Sequence, residues 1–344
     1  MKKANDFGIK IGELPCGALN NISDVKGVTV GHSTVRGGNH NTGVTVIMPS
    51  ESNIFSNKLV AASFVHNGYG KTVGTIQIDE LGTLETPSAL TNTLNVGIVS
   101  DAIIEHMVER CAKDGVPLYS INPVVGECND SLINDIKERA VTKEHVAEAI
   151  ANASREFEEG DVGAGTGTQC YGLKGGIGSS SRVIELDGNK YTIGVLVQSN
   201  YGATKDLTLN AKRVGADIDK WVHGTECDRG SIIVVLACDV PLTARQLKRV
   251  IRRCSVGIAR LGSYIGHGSG EVFIGFSTAN VISPTKSDIV SIRCINENRI
   301  DKLFRAAGEA TEEAIINSML CANEIEAYNG KKLKSLRDFL EQEK

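Results

Sequence analysis

Two apolar runs of β-strand type each begin directly after a short polar segment that contains a serine. The first run covers residues 232–238 and follows Ser231, and the second covers residues 272–276 and follows the segment around Ser269. Short apolar runs bounded by glycine and small polar residues predict buried strands. Because the polar starts of two such strands can meet at one edge of a sheet, we expect Ser231 and Ser269 to lie close together.

Ser231 can be interpreted in two ways. It suits an ordinary strand start, and it also suits a nucleophile that cleaves its own chain. In the second case its hydroxyl attacks the carbonyl of Gly230, a residue whose backbone tolerates a strained turn, and hydrolysis of the resulting ester frees Ser231 as a new N-terminus. The pKa of an α-amine is about 7.7–8.0, so roughly a tenth of it is neutral at pH 7 and can accept the hydroxyl proton. The chain would then be an amidase in which one residue is both nucleophile and base.

The second polar cluster also has more than one interpretation. Ser269 and Glu271 are two positions apart, so on a strand they point to the same face, and the glutamate could orient a hydrogen-bond network that reaches the nucleophile. The same residues also suit a turn and an exposed acid. His267 offers a third possibility, the base of a conventional serine–histidine mechanism.

Charge and hydropathy exclude several classes of partner. The 344 residues include 37 basic and 41 acidic side chains, with a net charge of −4 and no long block of either sign. This balance argues against a nucleic acid or a membrane surface as partner. The N-terminus lacks the apolar stretch of a secretory signal, and the apolar runs are too short to span a bilayer. We therefore expect a soluble protein.

The cysteines and histidines show no metal-ligand or disulfide pattern. Nine cysteines without a C-x-x-C pair predict a reducing, cytoplasmic location, and seven histidines without an H-x-x-x-H pair predict neither a metal nor another cofactor. Cys128 has no histidine near it in the sequence, so we interpret it as structural. Its neighbour Glu127 suits a carboxylate that binds a substrate ammonium group, although an ordinary loop acid fits equally well.

Strands and helices are mixed without a regular alternation. The apolar runs predict strands at residues 43–48, 94–99, 191–197, 232–238 and 272–276. Helical periodicity and capping signals predict helices at residues 101–113, 142–157, 243–261, 299–323 and 331–344. Since no segment is typical of a linker, we expect residues 1–344 to form one α+β domain, with sheets packed face to face and helices outside.

A glycine-rich stretch at residues 163–167 resembles a dinucleotide-binding fingerprint. That fingerprint must open a helix whose N-terminus meets the pyrophosphate. Here further glycines follow instead, so a loop of closely approaching backbone is favoured. Lys174 in the continuation of this loop is interpreted either as a positioned cation or as a surface lysine.

Several segments in order resemble the DmpA-type aminopeptidases, which include L-aminopeptidase/D-esterase-amidases and β-peptidyl aminopeptidases. The matching segments are ISDVKGVTVGH (22–32), LGTLETPSALTNT (81–93), PVVGECND (123–130), GAGTG (163–167), KGGIG (174–178), QSNYG (198–202), DRGS (228–231) and GHGSGE (266–271). The resemblance runs from near residue 21 to about residue 320.

The resemblance implies a fold, a processing event and a set of roles. It implies a four-layer αββα sandwich of the kind shared with ornithine acetyltransferases. It also implies self-cleavage between Gly230 and Ser231 into an α piece, 1–230, and a β piece, 231–344, that stay together in a homo-oligomer, often a tetramer of processed pairs. By position the resemblance assigns the nucleophile to Ser231 and the rest of the catalytic network to Ser269 and Glu271. It assigns the oxyanion donor to Asn200 and the lysine near the nucleophile to Lys174. Glu127 takes the role of binding the substrate amine.

One position departs from the family, and two alternatives stay open. Some members carry a tyrosine two residues after the glutamate, where this chain has Asn129, so the substrate-binding role of that position and the substrate range are open. We expect an aminopeptidase or amidase that acts on small peptides or amino-acid amides. The alternatives are an acyltransferase of the ornithine-acetyltransferase type and a non-catalytic homologue that stays uncleaved.

Overall fold

Ten strands form two sheets, and most of the helices lie outside them. The computed structural model describes residues 2–284 and 288–342. The strands within that part are β1 (Thr29–Gly37), β2 (His40–Met48), β3 (Lys58–Gly68), β4 (Thr83–Leu84), β5 (Ser88–Asn92), β6 (Val124–Cys128), β7 (Gln169–Cys170), β8 (Leu173–Lys174), β9 (Gly176–Leu186), β10 (Asn189–Asn200), β11 (Thr208–Leu209), β12 (Lys212–Arg213), β13 (Arg229–Cys238), β14 (Gly268–Ile282), β15 (Ile325–Glu326) and β16 (Lys332–Leu333). The helices are α1 (Thr75–Leu81), α2 (Val96–Lys113), α3 (Lys143–Ala151), α4 (Gly215–Val222), α5 (Ala244–Ile251), α6 (Cys254–Arg260), α7 (Asp301–Leu320) and α8 (Leu336–Gln342).

The two sheets pack face to face and form the centre of the molecule. One has the strand order β1-β2-β5-β6, and the other has the order β4-β3-β14-β13-β10-β9. The core between them joins Ile47 and Leu90 of the first sheet to Ile233 and Val235 of the second. Helices α2 and α3 cover the outer face of the first sheet, and α5, α6 and α7 cover that of the second. This arrangement confirms the expected αββα sandwich.

Strand β13 explains why the sheets stack in this way. Its even-numbered residues Ile232 and Val234 belong to the core under the helices, whereas its odd-numbered residues Ile233 and Val235 belong to the core between the sheets. A strand that is buried on both faces has a continuous apolar sequence instead of an alternating one. The apolar run at residues 232–238 therefore marks the centre of the fold.

The predicted strands agree with the structure except for one. Residues 43–48, 191–197, 232–238 and 272–276 lie in β2, β10, β13 and β14. The prediction of a strand at residues 94–99 is wrong, because this segment is a 3₁₀ turn followed by the start of α2. The side chain of Asn92 accepts hydrogen bonds from the backbone N–H groups of Leu94 and Asn95, which caps the helical segment. Periodicity does not separate a short apolar helix start from a strand.

The predicted helices differ from the observed ones mainly at their ends. The helix predicted at residues 142–157 ends at Ala151, because Ser154 exchanges two backbone hydrogen bonds with Val30 of β1. Residues 243–261 form two helices, α5 and α6, of which the first begins at the predicted Thr243 capping box. The helix predicted at residues 299–323 is α7. The segment at residues 331–344 forms β16 and α8 as far as residue 342, and its last two residues lie outside the described part.

In the part of the chain that the structure describes, no helix is long and apolar enough to cross a membrane. The same residues hold no group of three or more histidine, cysteine, aspartate or glutamate side chains placed to bind a metal ion.

Candidate active site

The two serine clusters meet at one end of the six-stranded sheet. Strands β13 and β14 are parallel neighbours, and their register places Gly230 beside Ser269 and Ser231 beside Gly270. Two parallel neighbours need a crossover connection, which α5 and α6 provide here. The prediction that the two polar strand starts lie together is therefore confirmed.

A cavity of about 560 Å³ opens over this end of the sheet. Its lining includes Glu127 from the four-stranded sheet and Ser231 from the six-stranded sheet, so both sheets contribute. The other residues that line it are Tyr69, Lys71, Thr93, Asn129, Leu132, Gln169, Asn200, Tyr201, Gly202, Thr225, Glu226, Cys227, Arg229, Gly230 and Gly268. A cavity of this size accommodates a small peptide or an amino-acid derivative.

The hydroxyl of Ser231 lies beside the carbonyl of the residue before it. Its Oγ donates a hydrogen bond of 2.7 Å to the carbonyl oxygen of Gly230. Gly230 has a φ of 115°, and a Cβ atom at this position would lie 1.9 Å from the carbonyl oxygen of Asn200. Only glycine fits such a site without displacing the backbone. The structure therefore holds, directly before the candidate nucleophile, a backbone conformation that only glycine adopts readily.

Asn200 lies opposite Ser231 on the neighbouring strand β10. Its Oδ1 accepts a hydrogen bond of 2.9 Å from the backbone N–H of Gln169, and its Nδ2 donates one of 2.9 Å to the carbonyl oxygen of Asn129. These two bonds fix the plane of the amide. A primary amide carries two N–H groups, so one donor remains beyond the bond to residue 129. The Nδ2 atom lies beside Gly230, 3.2 Å from where a Cβ atom would stand.

Ser269 and Glu271 form a buried pair behind the cavity. The hydroxyl of Ser269 donates a hydrogen bond to Oε1 of Glu271, and both side chains are fully buried. Oε2 of Glu271 has no hydrogen-bond partner among the described residues. Burial raises the pKa of Glu271 to about 7, because the charged form loses its hydration. A carboxyl group with such a pKa can exchange a proton near neutral pH.

Glu127 is a buried carboxylate that faces the cavity. Its Oε1 accepts a hydrogen bond of 2.8 Å from the backbone N–H of Lys71, and its Oε2 accepts one from the hydroxyl of Thr93. The next residue, Cys128, packs against the nucleophile's own strand, since its Sγ lies 3.4 Å from the carbonyl oxygen of Ser231. Burial raises the pKa of the Cys128 thiol well above its ordinary value, which agrees with a structural role.

Lys174 contacts the site through a loop. The lysine is fully buried, and its Nζ donates hydrogen bonds of 2.7–2.9 Å to the carbonyl oxygens of Gly165, Thr168 and Gly175. Burial lowers its pKa to about 7. The carbonyl of Thr168 and the N–H that binds Asn200 belong to one peptide group, so the lysine fixes the group that orients the amide. Lys174 is not among the described residues that line the cavity.

Two other residues singled out in the sequence lie at the edge of the site. The side chain of Asn129 is exposed at the rim of the cavity, and its Oδ1 accepts a hydrogen bond from the backbone N–H of Ser131. Its backbone carbonyl accepts the hydrogen bond from Asn200. His267 is exposed and does not belong to the described cavity lining. The geometry therefore gives no support to a conventional serine–histidine mechanism.

Several residues that line the cavity were not predicted from the sequence. Tyr69 and Lys71 come from a segment without a recognisable motif, and Thr93 ends the quoted LGTLETPSALTNT segment, in which no residue had been assigned a role. They enter the cavity only because β3 pairs with β14 and β5 pairs with β6. Asp228, in contrast, stands in the quoted DRGS segment, and its burial was not predicted.

Comparison with known proteins reveals similarity over nearly the whole chain. The sequence model of peptidase family S58 matches residues 20–333. The chain is 36% identical to the β-peptidyl aminopeptidase BapA of Sphingosinicella microcystinivorans, over 97% of this chain and 89% of the relative. Among solved structures, the PH0078 protein of Pyrococcus horikoshii OT3 is 46% identical, with a TM-score of 0.94 and coverage of 99% and 98%. The L-aminopeptidase D-Ala-esterase/amidase of Ochrobactrum anthropi, described as a variant of the Ntn hydrolase fold, is 34% identical, with a TM-score of 0.91 and coverage of 100% and 99%.

Proposed function

Because the chain belongs to peptidase family S58, and is an aminopeptidase/amidase of the Ntn type, we propose that it activates itself by cleaving the bond between Gly230 and Ser231. This membership confirms the resemblance to the DmpA-type enzymes. One observation carries the proposal: the Ser231 hydroxyl lies 2.7 Å from the carbonyl oxygen of a glycine held at a φ of 115°. Glycine alone adopts this conformation readily, so the residue before the nucleophile is the one that this arrangement requires.

In the proposed self-cleavage, Oγ of Ser231 attacks the carbonyl carbon of Gly230. The C–N bond breaks, the proton of the hydroxyl passes to the leaving nitrogen, and an ester joins Gly230 to Oγ. Water then hydrolyses the ester, which leaves a carboxylate on Gly230 and a free amine and hydroxyl on Ser231. The remaining N–H of Asn200 stabilises the oxyanion, and removing such a donor costs about 3–4 kcal/mol of barrier.

In turnover, the new α-amine of Ser231 accepts the proton of its own hydroxyl. The substrate's ammonium group binds the carboxylate of Glu127, which both hydrogen bonds described above keep oriented toward the cavity. Oγ forms an acyl-enzyme, the amine leaves with the proton, and water releases the acyl group. Any compound with a free amine next to a scissile amide in reach of Ser231 fits this scheme, so small peptides and amino-acid amides are the proposed substrates.

We assign Ser269 and Glu271 to the network around the new amine. The register places Ser269 beside Gly230, the residue that the cleavage separates from Ser231. The serine hydroxyl therefore lies near the end of the strand where the amine forms. Glu271 holds that hydroxyl from behind, and its raised pKa suits proton exchange near pH 7.

Three further features of the proposal rest on the resemblance and on composition. The processed pieces assemble as a homo-oligomer, with a tetramer of pairs as the expected form. The reaction takes place in the cytoplasm, in line with nine free cysteines, and needs no cofactor.

Transfer of the acyl group to an amine is the alternative to hydrolysis, and product analysis with an added amine acceptor separates the two.

The test combines intact-mass measurement with an assay on aminoacyl p-nitroanilides. The purified protein should contain two species, with the masses of residues 1–230 and 231–344. Ser231→Ala should give one full-length, inactive species. A matched control is Ser277→Ala, which removes a buried serine hydroxyl of β14 that donates to the carbonyl of Val240. The control should be cleaved and active, and an active Ser231→Ala variant would refute the nucleophile.

A further inference from the structure

A buried carboxylate lies two residues before the candidate cleavage site. Asp228 is 2% exposed. Its Oδ1 accepts a hydrogen bond of 3.0 Å from the backbone N–H of Gly202, and its Oδ2 accepts one of 2.5 Å from the hydroxyl of Ser263. Both donors are neutral, and Asp228 forms no ion pair with another described residue. Burial of a charge without a cation costs free energy, so a fold that keeps one here gains something else from it.

The backbone of Asp228 is held as firmly as its side chain. Its N–H donates a hydrogen bond of 3.2 Å to the hydroxyl of Tyr264. Its carbonyl oxygen packs against Gly266, where a Cβ atom would come within 2.3 Å. The residue is therefore fixed through its carboxylate, its N–H and its carbonyl to two different parts of the chain.

Those two parts lead directly to the proposed catalytic residues. Gly202 comes two residues after Asn200, at the end of β10, and Gly266 comes three residues before Ser269, at the start of β14. Asp228 thus joins the segment before the scissile bond to both strands that flank β13. Two residues of chain span at most about 7 Å, so the position of Gly230 depends closely on that of Asp228.

We propose that Asp228 is a positioning residue for self-cleavage, which holds the upstream side of the Gly230–Ser231 bond so that the Gly230 carbonyl stays beside the Ser231 hydroxyl. The inference rests on the self-cleavage proposed above. Downstream of the bond, β13 pairs with both β10 and β14, whereas upstream of it Arg229 and Gly230 pair with β14 alone. The Gly230 carbonyl stays beside the Ser231 hydroxyl only if the upstream side is also held toward β10, because a segment paired on one side alone can turn the carbonyl away. The anchor at Asp228 supplies this second restraint.

The test follows cleavage over time after a pulse of cell-free synthesis, with the cleaved fraction measured by intact mass. Asp228→Ala should slow cleavage by about 100-fold, the effect of misplacing reacting groups by about 1 Å. Asp228→Asn keeps an acceptor for Gly202 and offers a donor to Ser263, so it should remain within about threefold of wild type. Rescue by this variant separates positioning from a need for the charge.

A control with the same kinds of hydrogen-bond donors, backbone N–H and a serine hydroxyl, is available elsewhere in the chain. Asp24 accepts bonds from the backbone N–H groups of Leu19 and Asn21 and from the hydroxyl of Ser181. Asp24→Ala should lower stability but cleave at the wild-type rate. If Asp228→Ala does not fold, Tyr264→Phe tests the same anchor, because this exposed tyrosine should lose only the bond to the Asp228 N–H and slow cleavage about fivefold.

The outcomes separate the two proposals. A wild-type chain that never cleaves would overturn self-cleavage and this inference with it. A wild-type chain that cleaves, beside Asp228 and Tyr264 variants that cleave equally fast, would overturn the role of Asp228 alone. Slow cleavage of Asp228→Asn to the same degree as Asp228→Ala would also contradict the positioning role.

Discussion

Replacement of Gly230 by alanine is the sharpest test of the glycine conformation that precedes Ser231. The new Cβ atom would stand 1.9 Å from the carbonyl oxygen of Asn200, whereas non-bonded carbon and oxygen atoms need more than 3 Å. The neighbour is backbone of β10, so it cannot rotate away as a side chain would. In addition, a φ of 115° costs a residue with a side chain about 1–3 kcal/mol.

Relief of this conflict must move the Gly230 carbonyl or part β13 from β10. Either movement separates the Ser231 hydroxyl from the carbonyl that now accepts its hydrogen bond at 2.7 Å. A displacement of about 1 Å lowers the rate of such a reaction by about 100-fold. We therefore expect Gly230→Ala to remain a single chain over a period in which the wild type is fully cleaved. Its free energy of unfolding should be lower by about 1–3 kcal/mol.

The assay is intact mass over time, combined with thermal unfolding. The matched control is Gly268→Ala, one strand away, where the nearest atom to a new Cβ would be Cγ of Arg229 at an ordinary 3.4 Å. This variant should be cleaved like the wild type. Cleavage of Gly230→Ala at the wild-type rate would show that the conformation of Gly230 has no part in the reaction.

Two further predictions concern the carboxylates of the site. Glu127→Gln should lower kcat/KM for amine-bearing substrates by about 100-fold, because the buried charge pair with the substrate is lost. The control Glu226→Gln, at the exposed rim of the cavity, should change kcat/KM by less than about threefold. Equal effects of the two substitutions would argue against ammonium binding at Glu127. Burial raises the pKa of Glu271 to about 7, so the folded chain holds a proton that the unfolded chain releases near pH 4.3. In urea titrations of the uncleaved Ser231→Ala protein, the free energy of unfolding should therefore gain a contribution from Glu271 as the pH falls from about 8 to about 5. Adding Glu271→Gln should remove that contribution. If the single and double variants show the same dependence of unfolding free energy on pH, the prediction is contradicted.

The centre of the site could be predicted from sequence because its residues begin strands. Ser231 and Ser269 each precede an apolar run, and two buried strands with polar starts have few ways to pack. The register that sets Ser231 beside Gly270, however, depends on the crossover through α5 and α6, which sequence periodicity does not specify. The cavity-lining residues Tyr69, Lys71 and Thr93 were not predicted, because only the pairing of β3 with β14 and of β5 with β6 brings them to the cavity.

The errors in secondary structure have local physical causes. Residues 94–99 are apolar and short, and the Asn92 side chain decides in favour of a helix by capping it. The end of α3 is set by a backbone bridge between Ser154 and Val30, two residues far apart in sequence. In both cases a single hydrogen-bonding group outweighs the local pattern.

The order of the six-stranded sheet has a consequence for the protein after cleavage. Strands β13 and β14 would belong to the piece 231–344, yet they lie between β3 and β10, which belong to the piece 1–230. Neither piece could then complete this sheet alone, and recovery from full denaturation would require an encounter between two molecules. The uncleaved chain should rebuild this sheet at a rate that does not depend on protein concentration. The cleaved enzyme would refold more slowly the more it is diluted.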